Sequence, residues 1–220
     1  MEDFMSEDSK LQQAVLDELS WEPSVTAAHI GVSANAGVVT LTGHVDNYAA
    51  KAAAENAVRR VKGVRAVAEE MEVHLPMDTA RSDAAIAAAA IERLAWNVSV
   101  PRDAITVSVE KGWVALSGEV DWWYQKDAAE QDVRRLWGVV SVSNQVTIKA
   151  RVDTGELSDD ITHALHRSWF FNPDNVKVTA KGGRVKLTGT VQSWHERQTA
   201  ASTAWAAPGA IAVENDLAVI

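Results

Sequence analysis

The sequence predicts an α+β chain assembled from three tandem αββαβ units, and three observations carry that expectation. One phrase occurs three times, as GVVTLTGHV from Gly37 to Val45, GWVALSGEV from Gly112 to Val120 and GRVKLTGTV from Gly183 to Val191. The spacing beyond it is constant, since Gly43 to Gly63, Gly118 to Gly138 and Gly189 to Gly209 are each 20 residues. Each later glycine then leads into a similar ending, GVRAVAEEMEV, GVVSVSNQVTI or GAIAVENDLAV. Repetition at this scale sets architecture before any local motif is weighed.

Each unit opens with a helix, because Leu11, Val15, Leu16 and Leu19 recur at helical spacing, as do Ile86, Ile91 and Leu94, and Ile161 and Leu165. Pro23, Pro101 and Pro173 follow and are expected to end these helices. Leu19-Ser20-Trp21 and Leu94-Ala95-Trp96 stand equally far from their phrases, whereas Ser168-Trp169 lies two residues closer, so the third unit reads as having a shorter approach. Period-two alternation, as in Ile105, Val107 and Val109, marks the next strand. Lys111-Gly112 and Gly182-Gly183 supply positive-φ residues for a tight reversal, which makes the repeated phrase the second strand of a hairpin.

A second helix follows, with Asp46, Asp121 and Ser193 as N-cap candidates. Its first copy is rich in alanine and can lie close on a sheet. The last strand returns through Val67, Met71 and Val73, or Val142, Val146 and Ile148. The expected boundaries are an acidic tail over 1–9 and units over 10–76, 82–150 and 156–220, with short linkers at Pro76–Asp83 and Asp153–Asp160. A unit of roughly 60–70 residues is small for independent stability, so neighbouring units are expected to pack on each other.

Hydrophobic residues make up 47% and charged residues 23%, which suits a folded chain rather than a disordered one. The net charge of −9 is concentrated early, with 6 Lys/Arg against 12 Asp/Glu in residues 1–76. An acidic chain lacks the basic footprint that phosphate backbones demand, which argues against nucleic acid. With no cysteine, disulfides, thiolate metal sites and a cysteine nucleophile are excluded. MEDFMSEDSK lacks the features of a secretory leader, and no run approaches the roughly 18 apolar residues of a membrane span. The expectation is a cytoplasmic protein as the sequence stands, or a periplasmic one if a leader has been removed.

The pattern G-x-V-x-L-x-G-x-V, a helix, then G-V-x-x-V-x-N-x-[LVI]-x-[VI] resembles the BON domain family, and all three units fit from about Leu11 onward. Asn144 and Asn215 occupy the family's Asn position, where the first unit has Glu69; Ala210 stands where the others have Val64 and Val139. The resemblance implies a non-catalytic unit whose helices cover one face of a three-stranded mixed sheet. It further implies envelope or osmotic-stress roles, with a membrane phospholipid surface or another protein as partner. A potassium-binding relative adds an ion-responsive reading, although no ligand set for a monovalent cation is visible here.

The motif glycines Gly37, Gly43, Gly63, Gly112, Gly118, Gly138, Gly183, Gly189 and Gly209 read as scaffold, since the phrase lacks the Lys-Ser/Thr ending and helix start of a phosphate loop. His163 and His166 are three apart on a helix but have no third ligand nearby, and His44 and His195 are not repeated, so no metal site is expected. No nucleophile elbow or spaced carboxylate pair announces catalysis, and no small-molecule substrate or cofactor is indicated.

Nine tryptophans in 220 residues divide by position. Trp21, Trp96 and Trp169, and likewise Tyr48, Trp123 and Trp194, recur in every unit and read as seals of a core corner. Trp113, Trp122, Trp137 and Trp205 remain outside that scheme. Trp122, Trp123 and Tyr124 are consecutive and cannot all face one core, so they are the candidate lipid or partner surface, with Arg134 and Arg135 as basic support. Two readings stay open for these rings: filling the joint to a neighbouring unit, or wedging into lipid. The function expected is a non-enzymatic stress-associated protein that contacts phospholipid surfaces, with a protein-interaction or chaperone-like scaffold as the alternative.

Overall fold

The computed structural model describes residues 7–150, 156–167 and 175–220. Two compact units divide the chain, residues 1–80 with one repeat and 81–220 with two. The first contains α1 (Glu7–Trp21), β1 (Ile30–Asn35), β2 (Val38–Val45), α2 (Tyr48–Arg60) and β3 (Ala66–Val73). Ala36 and Gly37 both take positive φ, 49° and 83°, giving the two-residue reversal whose twist matches an antiparallel pair. The crossover through α2 then returns β3 parallel to β2, so β2 is central and the sheet is mixed.

Alternation turns Val39, Leu41 and Val45 of β2 inward against Val15 and Leu19 of α1 and Met71 of β3. The small side chains Ala50, Ala54 and Ala57 are buried and let α2 pack against this face.

In the second unit the pattern runs twice. The second repeat has α3 (Asp83–Trp96), β4 (Ile105–Glu110), β5 (Trp113–Val120), α4 (Trp123–Val133) and a closing strand in two pieces, β6 (Ser141–Asn144) and β7 (Thr147–Ile148). The third has α5 (Leu157–His166), β8 (Val176–Lys181), β9 (Arg184–Val191), α6 (Trp194–Ala206) and β10 (Ala212–Val219). Both repeats keep an antiparallel hairpin and a parallel return strand. Their cores are separate; in the third, Ile161 and Leu165 of α5 meet Val185, Leu187 and Leu217. Helices α4 and α6 touch, joining the two repeats.

Several expectations need correcting. Leu165 stands 24 residues before Gly189, as Leu19 does before Gly43 and Leu94 before Gly118, so the third repeat has no shorter approach. Arg167 therefore holds the place of Trp21 and Trp96; Ser168, Trp169 and Pro173 lie outside the described residues. Nor do Trp21 and Trp96 seal a core, being 86% and 80% exposed. Each lies two residues beyond the buried Leu19 or Leu94, and two steps of about 100° carry a side chain to the opposite side of a helix. Ile91 is exposed for the related reason that its neighbour Ala90 holds the inward position.

Helix ends also differ. Asn47 rather than Asp46 caps α2, accepting the Ala50 N–H at 2.8 Å. Trp122 rather than Asp121 is the N-cap of α4, where the Gln125 Oε1 accepts the N–H groups of Trp122 and Asp121, both at 3.0 Å. Ser193 caps α6 as expected. Helix α1 already begins at Glu7, and α5 begins at Leu157, inside the stretch read as a linker. Pro101 does not end α3, which stops at Asn97 with extended backbone.

Candidate functional site

The thrice-used phrase is structural. A Cβ on Gly43 would lie 2.2 Å from the His29 carbonyl oxygen, on Gly118 2.1 Å from that of Ala104, and on Gly189 1.9 Å from that of Asn175. Only a residue without Cβ lets the hairpin strands approach this closely. The hairpin tips are also tied to the first helices, because Asp8 accepts the Ala36 N–H at 2.8 Å and Asp83 accepts those of Lys111 and Gly112 at 2.8 and 2.9 Å.

The Asn position differs in one repeat, and its bonds differ in part. Asn215 donates to the Arg197 carbonyl at 3.0 Å and Asn144 to that of Lys126 at 2.9 Å, linking the closing strand to the second helix. Glu69 cannot donate when ionised. Instead its carboxylate accepts from Met71 N–H at 2.9 Å and from Lys51 Nζ at 3.1 Å, while Lys51 also reaches the Met71 carbonyl at 2.7 Å. Lys51 occupies the repeat position of Lys126 and Arg197, and Arg197 likewise reaches the Leu217 carbonyl at 2.9 Å, so this side-chain tie is shared with the third repeat and what the first adds is the Lys51–Glu69 ion pair.

Tyr48, Trp123 and Trp194 open their second helices and are half-buried. Trp123 stacks on Trp205 of α6, with ring centroids 5.8 Å apart and planes 16° from parallel. That pair fills the joint between the second and third repeats. Around it Trp122, Trp123, Tyr124, Ser202, Trp205 and Ala206 line an open cleft of about 490 Å³. Tyr124 remains 53% exposed.

The basic residues are not part of this cleft. Arg134 lies at the opposite end of α4, about 16 Å away along an 11-residue helix. Its guanidinium is largely covered and donates to Glu130 at 2.7 Å, within the same helix. Arg135 is exposed in the following turn, near the exposed Trp137 in sequence. Asp127, between the two ends, has its carboxyl pushed above the ordinary range, first by burial and then by the neighbouring Glu130 charge.

Sequence reasoning left Trp205 outside its candidate surface, although a signal was present. Counting 16 residues from the second glycine of each phrase gives Arg59, Arg134 and Trp205, and counting 12 gives Glu55, Glu130 and Ala201. The first two repeats close an i,i+4 ion pair there. In the third, both charges are replaced by apolar groups, which marks a helix face that meets something other than water.

Three histidines that are distant in sequence come together in the first repeat. His44 stacks between His29 and His74, at centroid distances of 4.6 and 4.9 Å, and His74 contacts Glu72 at 3.0 Å. Stacked rings direct their nitrogens along parallel planes rather than toward one point, and among the described residues no group of three or more His, Asp or Glu is arranged to hold a metal. His163 and His166 are exposed on α5. No described helix is long and apolar enough to cross a membrane.

The sequence pattern of the BON domain matches residues 7–74, 82–150 and 153–220. Osmotically-inducible protein Y of Escherichia coli (strain K12) is 29% identical over 147 residues, spanning 65% of this chain and 73% of that protein. A solved structure of CdsD, a structural protein of the type III secretion system of Chlamydia trachomatis, is 19% identical, covering 96% of this chain and 92% of that one with a TM-score of 0.27. With its repeated phrase, αββαβ topology and family pattern in agreement across nearly its whole length, the chain belongs to the BON domain family as three tandem copies, distantly related to osmotically-inducible protein Y.

Proposed function

We propose that this protein is a non-enzymatic, osmotic-stress-associated binding protein that docks peripherally on phospholipid surfaces through the cleft between α4 and α6. The observation that carries the reading is the set of aromatic rings bordering that cleft, where Tyr124 stays half in water while Trp123 and Trp205 hold the joint beneath it. Amphipathic rings favour the boundary between water and lipid headgroups, where an apolar body and a polar edge are both satisfied. The stress association rests on the likeness to osmotically-inducible protein Y.

Flotation of the full chain with phospholipid vesicles tests the reading. Co-flotation with a blue shift of tryptophan emission is the expected result, and Tyr124→Ala weakens it. Vesicles that float without the protein at every composition and salt concentration would overturn the lipid reading and favour a protein partner instead.

A further inference from the structure

We infer that the cleft between α4 and α6 reads the quaternary ammonium of a phosphocholine headgroup in a bilayer, an inference that rests on the phospholipid reading above and names its ligand chemistry. The lining decides the class. Four aromatic rings, Trp122, Trp123, Tyr124 and Trp205, share the cleft with Ser202 and Ala206, and among the described residues no carboxylate, lysine or arginine borders it. Charge-assisted recognition of a phosphate uses Arg or Lys donors, yet Arg134 lies at the far end of α4 and is engaged by Glu130. An anionic headgroup therefore finds no basic side chain among these lining residues.

A positive group finds aromatic rings. Aromatic faces attract cations through the ring quadrupole, and Trp123 and Trp205, stacked on each other, both border the cleft. A primary ammonium brings three N–H donors that must be satisfied when water is removed. Among the lining side chains only the hydroxyls of Tyr124 and Ser202 can accept, two acceptors for three donors, since an indole N–H only donates. A quaternary ammonium has no N–H to satisfy and carries its charge on methyl groups that pack against an apolar wall. A cleft of about 490 Å³ lies within the ordinary range of small-ligand sites and accepts a headgroup rather than an acyl chain pair.

The test uses the full chain and three vesicle types: phosphatidylglycerol alone, and equal mixtures of it with phosphatidylcholine or with phosphatidylethanolamine. Binding is expected to be about tenfold stronger with the choline mixture, the scale of a cation–π contact. Tetramethylammonium chloride should release the protein where ammonium chloride at the same concentration does not. Tyr124→Ala should lower binding several-fold with an unchanged melting transition, since this ring lies outside the Trp123–Trp205 stack. Equal binding to the choline and ethanolamine mixtures, or strongest binding to phosphatidylglycerol alone, would overturn the headgroup assignment while leaving phospholipid docking intact. Failure to bind any vesicle would overturn both, and a tryptophan response to tetramethylammonium in that case would show that the cleft takes a soluble quaternary ammonium rather than a lipid.

Discussion

Helices α2 and α6 hold the same place in their repeats and are both 13 residues long, yet they present different edges. On α2 the positions 12 and 16 beyond the phrase glycine are Glu55 and Arg59, which pair with each other; on α6 they are Ala201 and Trp205, and the indole instead stacks on Trp123 of the preceding repeat. The ion pair closes within one helix. An apolar pair leaves a face that must be covered, and α4 covers part of it. A fold repeated almost unchanged thus acquires a joint, and beside it an aromatic-lined cleft, through two side chains.

The comparison requires the rest of the repeat to be equivalent, and the glycine phrase tests this with the largest effect. Gly43→Ala and Gly189→Ala each drive a methyl group into a carbonyl oxygen at positive φ, and each should destabilise its repeat by about 3 kcal/mol or more in urea titration. A loss of a few tenths at either position would mean that the hairpin can relax and that the close approach is not required.

Next in size is the joint. Trp205→Ala should cost about 2 kcal/mol, because a half-buried indole and its stack are lost, whereas Arg59→Ala at the matching position should cost about 0.5 kcal/mol. Equal losses would break the distinction between the two helices. The helix-to-strand tie should be smaller again: Lys51→Met is expected to cost about 1 kcal/mol by removing the donor to Glu69 and Met71, and adding Glu69→Asn should recover part of it. Recovery marks the Asn of the other repeats and the Lys51–Glu69 pair as alternative solutions to one problem.

The smallest effect is pH-dependent. Because the Asp127 carboxyl is raised in the folded state, its charged form opposes folding; the stability linked to it is complete below its ordinary value near 3.8 and is lost as pH rises through the higher folded value. Asp127→Asn should therefore stabilise the chain at neutral pH by less than about 0.5 kcal/mol, given its partial exposure, and the gain should vanish as the medium is acidified below that ordinary value. Thermal melts at neutral and acid pH measure both halves.

Much of the fold was legible because repetition multiplies weak signals. The hairpin turns at Lys111-Gly112 and Gly182-Gly183 need positive φ, and glycine spacing reported that need directly. Helix faces were less legible. A tryptophan repeated at the end of α1 and α3 suggested a core contact, but the buried stripe runs through Val15 and Leu19, or Ile86, Ala90 and Leu94, and angle rather than recurrence decides what is covered. Trp169 misled the alignment because an aromatic match outweighed a count of residues. Caps slipped by one position because Asp46 and Asn47 are both good capping residues and backbone geometry chooses between them. The aromatic surface at Trp122 to Tyr124 was readable as a break in pattern; its partner Trp205 was readable only after the three helices are placed in register.

Grafting the α2 edge onto α6, by Ala201→Glu with Trp205→Arg, is the most direct measurement. The double variant restores the ion pair that the other two repeats use, so it keeps helix and sheet while removing one wall of the cleft. Flotation of this variant beside the native chain should show vesicle binding lost while circular dichroism retains the native α+β signal. Native-level vesicle binding by the correctly folded variant would contradict the account, and place the lipid-binding surface elsewhere on the chain.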